Sequence, residues 1–302
     1  MSDYRHRKLG AIPSPKDHRD FHVARFVQVE RSFPVEFKVA PLIPEPYDQD
    51  DVGACVAYSL KAIKEIQEQK ERNTYTRYSA AYIYGAREQK HYRGEGMIPR
   101  EALEILLKRG VCREQLLPGI YPYPVAATMI TEAMHHDAYP QRIKAYAAAY
   151  LVEEIKSALM DLGPVMAVIP VYDSFYQGGH LPRPDPIKEN MYGFHALVLV
   201  GWTKDNRWLA LNSWGKDWGE LGGYCTLPFD YPFSEIWTIT DLVVQPEPKV
   251  YEIFVSPWRK GSRRAWLVHM GLFATKEEAV EQVIKPLQDD LARAGQKLKI
   301  NT

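Results

Sequence analysis

Between residues 54 and 70 the apolar positions Val56, Leu60, Ile63 and Ile66 recur three and four apart, the spacing of one face of a helix. The pattern predicts a helix over 54–70, with Lys61 and Glu65 as an exposed i,i+4 pair and Cys55 in the first turn. Further helices are expected over 78–88 and over 99–108, the latter opened by Pro99 at its first position and stopped by Gly110. A fourth, over 153–162, ends at Gly163-Pro164.

From there the period changes. Residues 165–171 read as a strand, His195 starts another that continues through the apolar run 196–200, and 208–211 and 222–227 supply two more, with glycine and aspartate turns between. Helices come first and sheet later, which predicts an α+β fold rather than alternating βαβ units. The first 46 residues are rich in proline and charge without a sustained period and read as an extended N-terminal arm. The main domain is expected over 47–245. Pro246-Glu247-Pro248 reads as a hinge to a small unit over 249–302: strands at 250–255 and 265–270, then a helix capped by Thr275 with Glu278 at its third position.

Composition narrows the function classes. Lysine plus arginine and aspartate plus glutamate both total 38, so net charge gives no argument for nucleic acid or an acidic membrane surface. The longest apolar run is too short to span a bilayer, and residues 1–30 lack the apolar segment of a signal peptide. Three cysteines, at 55, 112 and 225, cannot all pair within the chain, and their spacing matches no zinc knuckle. A reducing, cytoplasmic setting is expected, with no membrane partner and no cofactor.

The candidate chemistry gathers on four residues. A thiol at a helix N-terminus is nearer ionisation because the unpaired amides there favour the anion, and Cys55 has that place. His195 is the best candidate to take its proton and return one to a leaving amine. If 196–200 and 208–211 pair as antiparallel neighbours, Asn212 falls at the same sheet end as His195 and can hold its ring. The Gln49 side chain and the Cys55 backbone N–H would give two donors to an oxyanion.

These residues also carry a family resemblance. Gln49 through Cys55, His195-Ala196 with Val200-Gly201-Trp202, and Asn212-Ser213-Trp214-Gly215 with Trp218-Gly219-Glu220 and Gly223-Tyr224 resemble, in order and spacing, the signature blocks of papain-like cysteine peptidases, in an intracellular bacterial or phage-type form. Over residues 45–240 the resemblance implies two subdomains, one helical and one a curved antiparallel sheet, meeting at a cleft. It implies Cys55 as nucleophile, His195 as base, Asn212 as orienter, Gln49 as oxyanion donor and Trp214 as the shield of the histidine–asparagine pair. Gly94-Glu95-Gly96-Met97 resembles the glycine-rich wall that binds substrate backbone, which places Gly96 in the cleft.

The departures are informative. Asp50, Asp51 and Val52 stand where the family has a glycine and, at the place of Val52, the disulfide cysteine, and Val56 replaces the tryptophan after the nucleophile, so the usual structural disulfide is missing. The acidic run Asp48, Asp50 and Asp51 disfavours a nearby thiolate; it is expected to cap the helix, or alternatively to attract a basic substrate segment. The arm does not resemble the long helical propeptide of secreted members. No zymogen is therefore expected, although an arm crossing the cleft stays open as an alternative.

Other features take ordinary readings. His135-His136 is expected at the surface and Cys112 and Cys225 in the core, while the basic turn 259–264 reads as a solvated hairpin tip and nucleic acid is an unlikely partner. The small C-terminal unit is expected to dock on the main domain or on a protein partner. Two functions compete: a thiol endopeptidase acting through an acyl-enzyme, and a catalytically idle papain-like domain serving as a binding component of an assembly.

Overall fold

The computed structural model of the chain describes residues 4–40, 45–88, 94–240, 249–255 and 266–273. By its internal contacts the chain divides into two units, Met1–Val243 and Val244–Thr302.

In the first unit the helical part is built around α1, Cys55–Arg72, which ends where Asn73 turns left-handed and donates its N–H to Gln69. Helix α2, Ala80–Gly85, is shorter than the sequence suggests; Ser79 caps it by accepting from the Tyr82 N–H at 3.0 Å. Helix α3, Pro99–Lys108, keeps its predicted limits, and two short helices, α4 (Val125–Thr128) and α5 (Glu132–Ala138), follow.

The expected exposure of Lys61 and Glu65 is overturned: both are buried. Charges can be buried when other groups satisfy them, and here they are. Lys61 pairs with Glu114 and lies 4.5 Å over the Tyr47 ring, while Glu65 accepts from the Tyr47 hydroxyl and, at 2.7 Å, from the Tyr78 N–H. Both faces of α1 are therefore covered, and its first turn is fixed against the sheet.

The sheet carries β1 (Phe37–Lys38), β2 (Ala145–Ala148), β3 (Val165–Tyr172), β4 (Gly179–His180), β5 (Met191–Thr203), β6 (Arg207–Leu211), β7 (Tyr224–Pro228) and β8 (Glu235–Thr240). Its order is β2-β8-β3-β5-β6-β7-β4, with β1 added on β5, and every pairing is antiparallel except β4 with β7. Helix α6, Val152–Asp161, packs on β3 and β5. Strand β5 starts at Met191, four residues before the expected start at His195, and its buried run Ala196–Trp202 forms the sheet side of the core. This is the α+β arrangement of a helical part and an antiparallel sheet.

In the second unit, β9 (Lys249–Val255) and β10 (Trp266–Phe273) pair antiparallel with an irregularity between Leu267 and His269. The predicted hinge at 246–248, basic turn at 259–264 and helix after Thr275 lie outside the described residues. Among the described residues no helix is long and apolar enough to cross a membrane.

Candidate active site

Helix α1 begins at Cys55, so the thiol stands at the helix N-terminus where unpaired N–H groups face it. The Ala196 N–H of β5 donates to Cys55 Sγ at 3.4 Å. The first residue of α1 and the residue beside His195 on β5 are thus held together across the helix–sheet boundary.

The pairing of β5 with β6 matches Val198 to Leu211. Following that register past Leu211 carries Asn212 toward the start of the run that holds His195, and His195 Nε2 meets Asn212 Oδ1 at 2.7 Å. The same oxygen accepts the Ser213 N–H at 2.8 Å. Two donors hold it, which points the far ring nitrogen, Nδ1, away from Asn212. Nδ1 is buried and has no hydrogen-bond partner, so it is available to exchange a proton with a neighbouring group.

Gln49 is fully buried by backbone pairing: its N–H donates to the Ser213 carbonyl, and the Gly215 N–H to the Tyr47 carbonyl, both at 2.8 Å. Its side chain is fixed at both ends. Oε1 accepts from Ser213 Oγ at 2.7 Å, which orients the amide so that Nε2 donates to the Val52 carbonyl at 2.7 Å and to the Lys8 carbonyl at 3.1 Å. Ser213 was missed at the sequence level, although it sits inside the Asn212-Ser213-Trp214 block; only the fold brings it under Gln49.

Buried aromatic rings enclose this corner. The Trp214 ring lies 5.0 Å from His195 and Phe175 5.6 Å from it, with Trp218 behind both at 5.8 and 5.2 Å. Phe175 was also missed, because nothing in the sequence around 175 separates a shield from ordinary core.

The N-terminal arm lies across this site. Ala11 donates to the Phe194 carbonyl at 3.3 Å on one wall; on the other, Met97 donates to the Gly10 carbonyl at 2.7 Å and accepts from the Ile12 N–H at 3.0 Å. The Lys8 carbonyl takes the Gln49 amide, and Tyr4 stacks on Trp214 with an interplanar angle of 6°. Gly10 passes so near Gly53 that a Cβ on it would stand 2.0 Å from the Gly53 carbonyl oxygen. The arm is not a long helix, yet it fills the cleft, which is the alternative the sequence left open.

Coverage sets the charge state. Burial pushes the Cys55 thiol up to about 11, against the opposing pull of the Ala196 and Gly10 N–H groups, and it pushes His195 down to about 4, against the Asn212 hydrogen bond. With the arm in place both shifts favour the uncharged forms, thiol and imidazole.

A sequence profile of the papain family cysteine proteases matches residues 36–231. The chain belongs to that family. The papain family domain is 36% identical over 83 residues to cathepsin B-like cysteine proteinase 2 of Haemonchus contortus, covering 26% of this chain and 23% of that protein. The chain thus spans about a quarter of the length of such curated relatives. An uncharacterized peptidase C1-like protein of Acanthamoeba polyphaga mimivirus is 24% identical over 277 residues, which is 78% of this chain and 88% of that one. Among solved structures, xylellain, a cysteine protease from Xylella fastidiosa, superposes with a TM-score of 0.68 at 24% identity, covering 80% of this chain and 99% of its own. Relatives from a nematode and a virus, and a fold shared with a bacterial protein, do not single out one lineage within the family.

Within this papain family fold, two expectations about individual residues change. The acidic run does not cap α1: the helix N-cap is Ala54, without a side-chain bond, and Asp48 instead pairs with Arg7. Gly96 lies on the cleft wall, but its N–H faces the Tyr84 hydroxyl at 3.1 Å and its carbonyl accepts from Arg87. The backbone bonds to the arm come from Met97, and Gly96, at φ +104°, supplies the close approach, since a Cβ there would meet the Gly10 carbonyl oxygen at 3.0 Å. Elsewhere His135 Nδ1 is 2.8 Å from the Tyr82 hydroxyl, Cys112 and Cys225 are buried and free, and the described residues hold no group of three or more metal-ligating side chains.

Proposed function

We propose that the chain hydrolyses peptide bonds as a thiol endopeptidase. The observation that carries this reading is the single constellation of Cys55 at the α1 N-terminus, His195 held through Nε2 by Asn212, and Gln49 held through Oε1 by Ser213.

Each residue then has a step. His195 Nδ1 takes the Cys55 proton, and Sγ attacks the substrate carbonyl carbon. Charge moves to the carbonyl oxygen, which Gln49 Nε2 and the Cys55 N–H stabilise. The tetrahedral adduct expels the amine, which leaves with the proton from His195, and a thioester remains on Cys55. His195 then deprotonates a water that attacks the thioester, and Sγ leaves, recovering the thiol and releasing the acid. Asn212 keeps the ring aligned throughout, and Trp214 and Phe175 exclude water from the pair.

The setting is proposed to be cytoplasmic and reducing, in an intracellular bacterial or phage-type protein, supported by three unpaired cysteines, all buried. The C-terminal unit is proposed to meet a protein partner rather than nucleic acid. A second reading, an idle binding domain, draws on one observation: Cys55 is fully buried with the arm in place, and that burial favours the uncharged thiol.

Covalent labelling with a peptidyl electrophile separates the two. The full chain and a Gly10→Val variant, in which the arm cannot lie flat on Gly53, are each compared with their Cys55→Ala and His195→Ala forms. A Cys55 adduct that needs His195 supports the peptidase. Absence of any adduct in the Gly10→Val chain leaves the binding domain as the reading.

A further inference from the structure

The stretch of the arm that fills the cleft, residues 4–12, carries arginine and lysine and no acidic residue, although the whole chain is formally neutral. Arg5, Arg7 and Lys8 fall within four residues, and each meets a different carboxylate. Arg7 makes a two-pronged pair with Asp48, its Nη2 at 2.8 Å from Oδ2; Lys8 Nζ lies 3.1 Å from Glu95; Arg5 lies 3.3 Å from Asp173.

These three carboxylates are anchored by backbone that does not belong to the arm. Asp48 Oδ1 accepts the Asp50 N–H at 2.8 Å, Glu95 accepts the Gly53 N–H at 3.3 Å, and Asp173 accepts the Asn190 N–H and the Tyr192 hydroxyl, both at 2.8 Å. Part of what positions their negative charge around the cleft is therefore independent of the arm's cations. Preorganised charge of this kind discriminates between partners by sign.

The groups they surround are the buried, unpartnered His195 Nδ1, the Cys55 thiol and the Gln49 amide that holds the Lys8 carbonyl. The acidic rim and the reacting groups thus serve one bound backbone. We propose that this cleft is selective for peptides bearing closely spaced arginine and lysine, with Asp48, Glu95 and Asp173 as the specificity-determining residues, and that the arm occupies it as an internal ligand of that class. The proposal rests on the peptidase reading for its catalytic sense, but recognition of a basic peptide is a binding property and is tested as one.

The probe is a fluorescent peptide with the sequence of residues 4–12, compared with the same peptide carrying glutamine at the three cationic positions. The protein is the full chain with Arg5→Gln, Arg7→Gln and Lys8→Gln, which loosens its own arm, and Cys55→Ala, which prevents turnover. Anisotropy titration is expected to show the basic peptide binding at least tenfold tighter, about 1.4 kcal/mol. That preference shrinks as ionic strength rises through the range where exposed pairs are screened. Adding Asp48→Asn, Glu95→Gln and Asp173→Asn brings the ratio to about one. Glu95→Lys with Asp173→Lys reverses it toward a glutamate-bearing peptide, a gain that a misfolded variant cannot give. Equal affinity for basic and neutral peptides in the parent, or a preference that survives loss of the carboxylates, overturns the proposal. Selective binding with no hydrolysis in the Cys55-intact chain would sink the peptidase reading and leave the basic cleft standing.

Discussion

Ser213 Oγ donates to Gln49 Oε1 at 2.7 Å, and this bond, with the Val52 carbonyl that accepts from Nε2, sets which way the Gln49 amide faces. Without it the oxygen end of the amide loses its partner, and only the carbonyls that accept from Nε2 hold the donor in place. Removing an oxyanion donor outright costs about 10²–10³ in kcat, so Gln49→Ala is expected to fall in that range. Ser213→Ala, which leaves the amide present but unclamped, is expected to lose about tenfold in kcat with KM unchanged, in steady-state assays on a peptide substrate. A fall in KM-linked binding alone would contradict the clamping role.

The Gly10–Gly53 contact makes arm docking sensitive to a single side chain. Gly10→Val places its Cβ where only 2.0 Å separates it from the Gly53 carbonyl oxygen, so the arm must rise from the cleft. Peptide turnover by this variant is expected to exceed that of the parent chain at least tenfold, measured at equal active-site concentration. Unchanged turnover would mean that the arm leaves the cleft freely in the parent.

Stability should carry the imprint of the two buried neutral groups. His195 is held at about 4 against an ordinary 6.5, so its contribution is full above pH 6.5 and is lost as pH falls through 4. Cys55 is held at about 11 against 9.0, so its contribution is full below pH 9 and is lost as pH rises through 11. The histidine shift corresponds to a loss on the order of 3 kcal/mol at most. Urea midpoints across pH are expected to show a plateau between these limits. His195→Gln should flatten the acid limb and Cys55→Ala the alkaline one; an unaltered acid limb in His195→Gln would exclude the assignment.

Asn212 Oδ1 accepts from both His195 Nε2 and the Ser213 N–H, so Asn212→Ala releases the ring and strips an acceptor from the Gln49 clamp together. Its effect and that of Ser213→Ala should therefore be less than additive in a double-mutant cycle on kcat. Strict additivity would show the two bonds to be independent.

Much of this was legible in the sequence, for reasons that differ by residue. Cys55 and Asn212 were readable because each sits at the edge of a regular element, where period and turn chemistry fix position well, whereas His195 lies inside β5 and was readable from the apolar run that follows it. The span of α3 followed from Pro99 and Gly110 in the same way. Three things were hidden. Helical periodicity could not tell that a layer of Tyr47, Glu114 and Tyr78 would cover the polar face of α1, because those partners come from irregular segments. The glycine-rich pattern pointed to Gly96, but which backbone amide faces the cleft depends on the φ of that glycine and shifts the role to Met97. The course of residues 4–12 follows from a fit between Gly10 and Gly53, and a chain stretch without a period carries no signal for such a fit.

Zero exposure of Cys55 has a chemical consequence apart from turnover. Oxidation of cysteine begins with the thiolate and needs access to the sulfur, and here the sulfur is both neutral and sealed. The resting chain is therefore expected to resist hydrogen peroxide, with sulfenic acid at Cys55 trapped by dimedone far more slowly than in Gly10→Val; equal rates would refute this. A segment that keeps peptides out would then also preserve the thiol until it is used, so that damage accumulates on working molecules rather than on waiting ones.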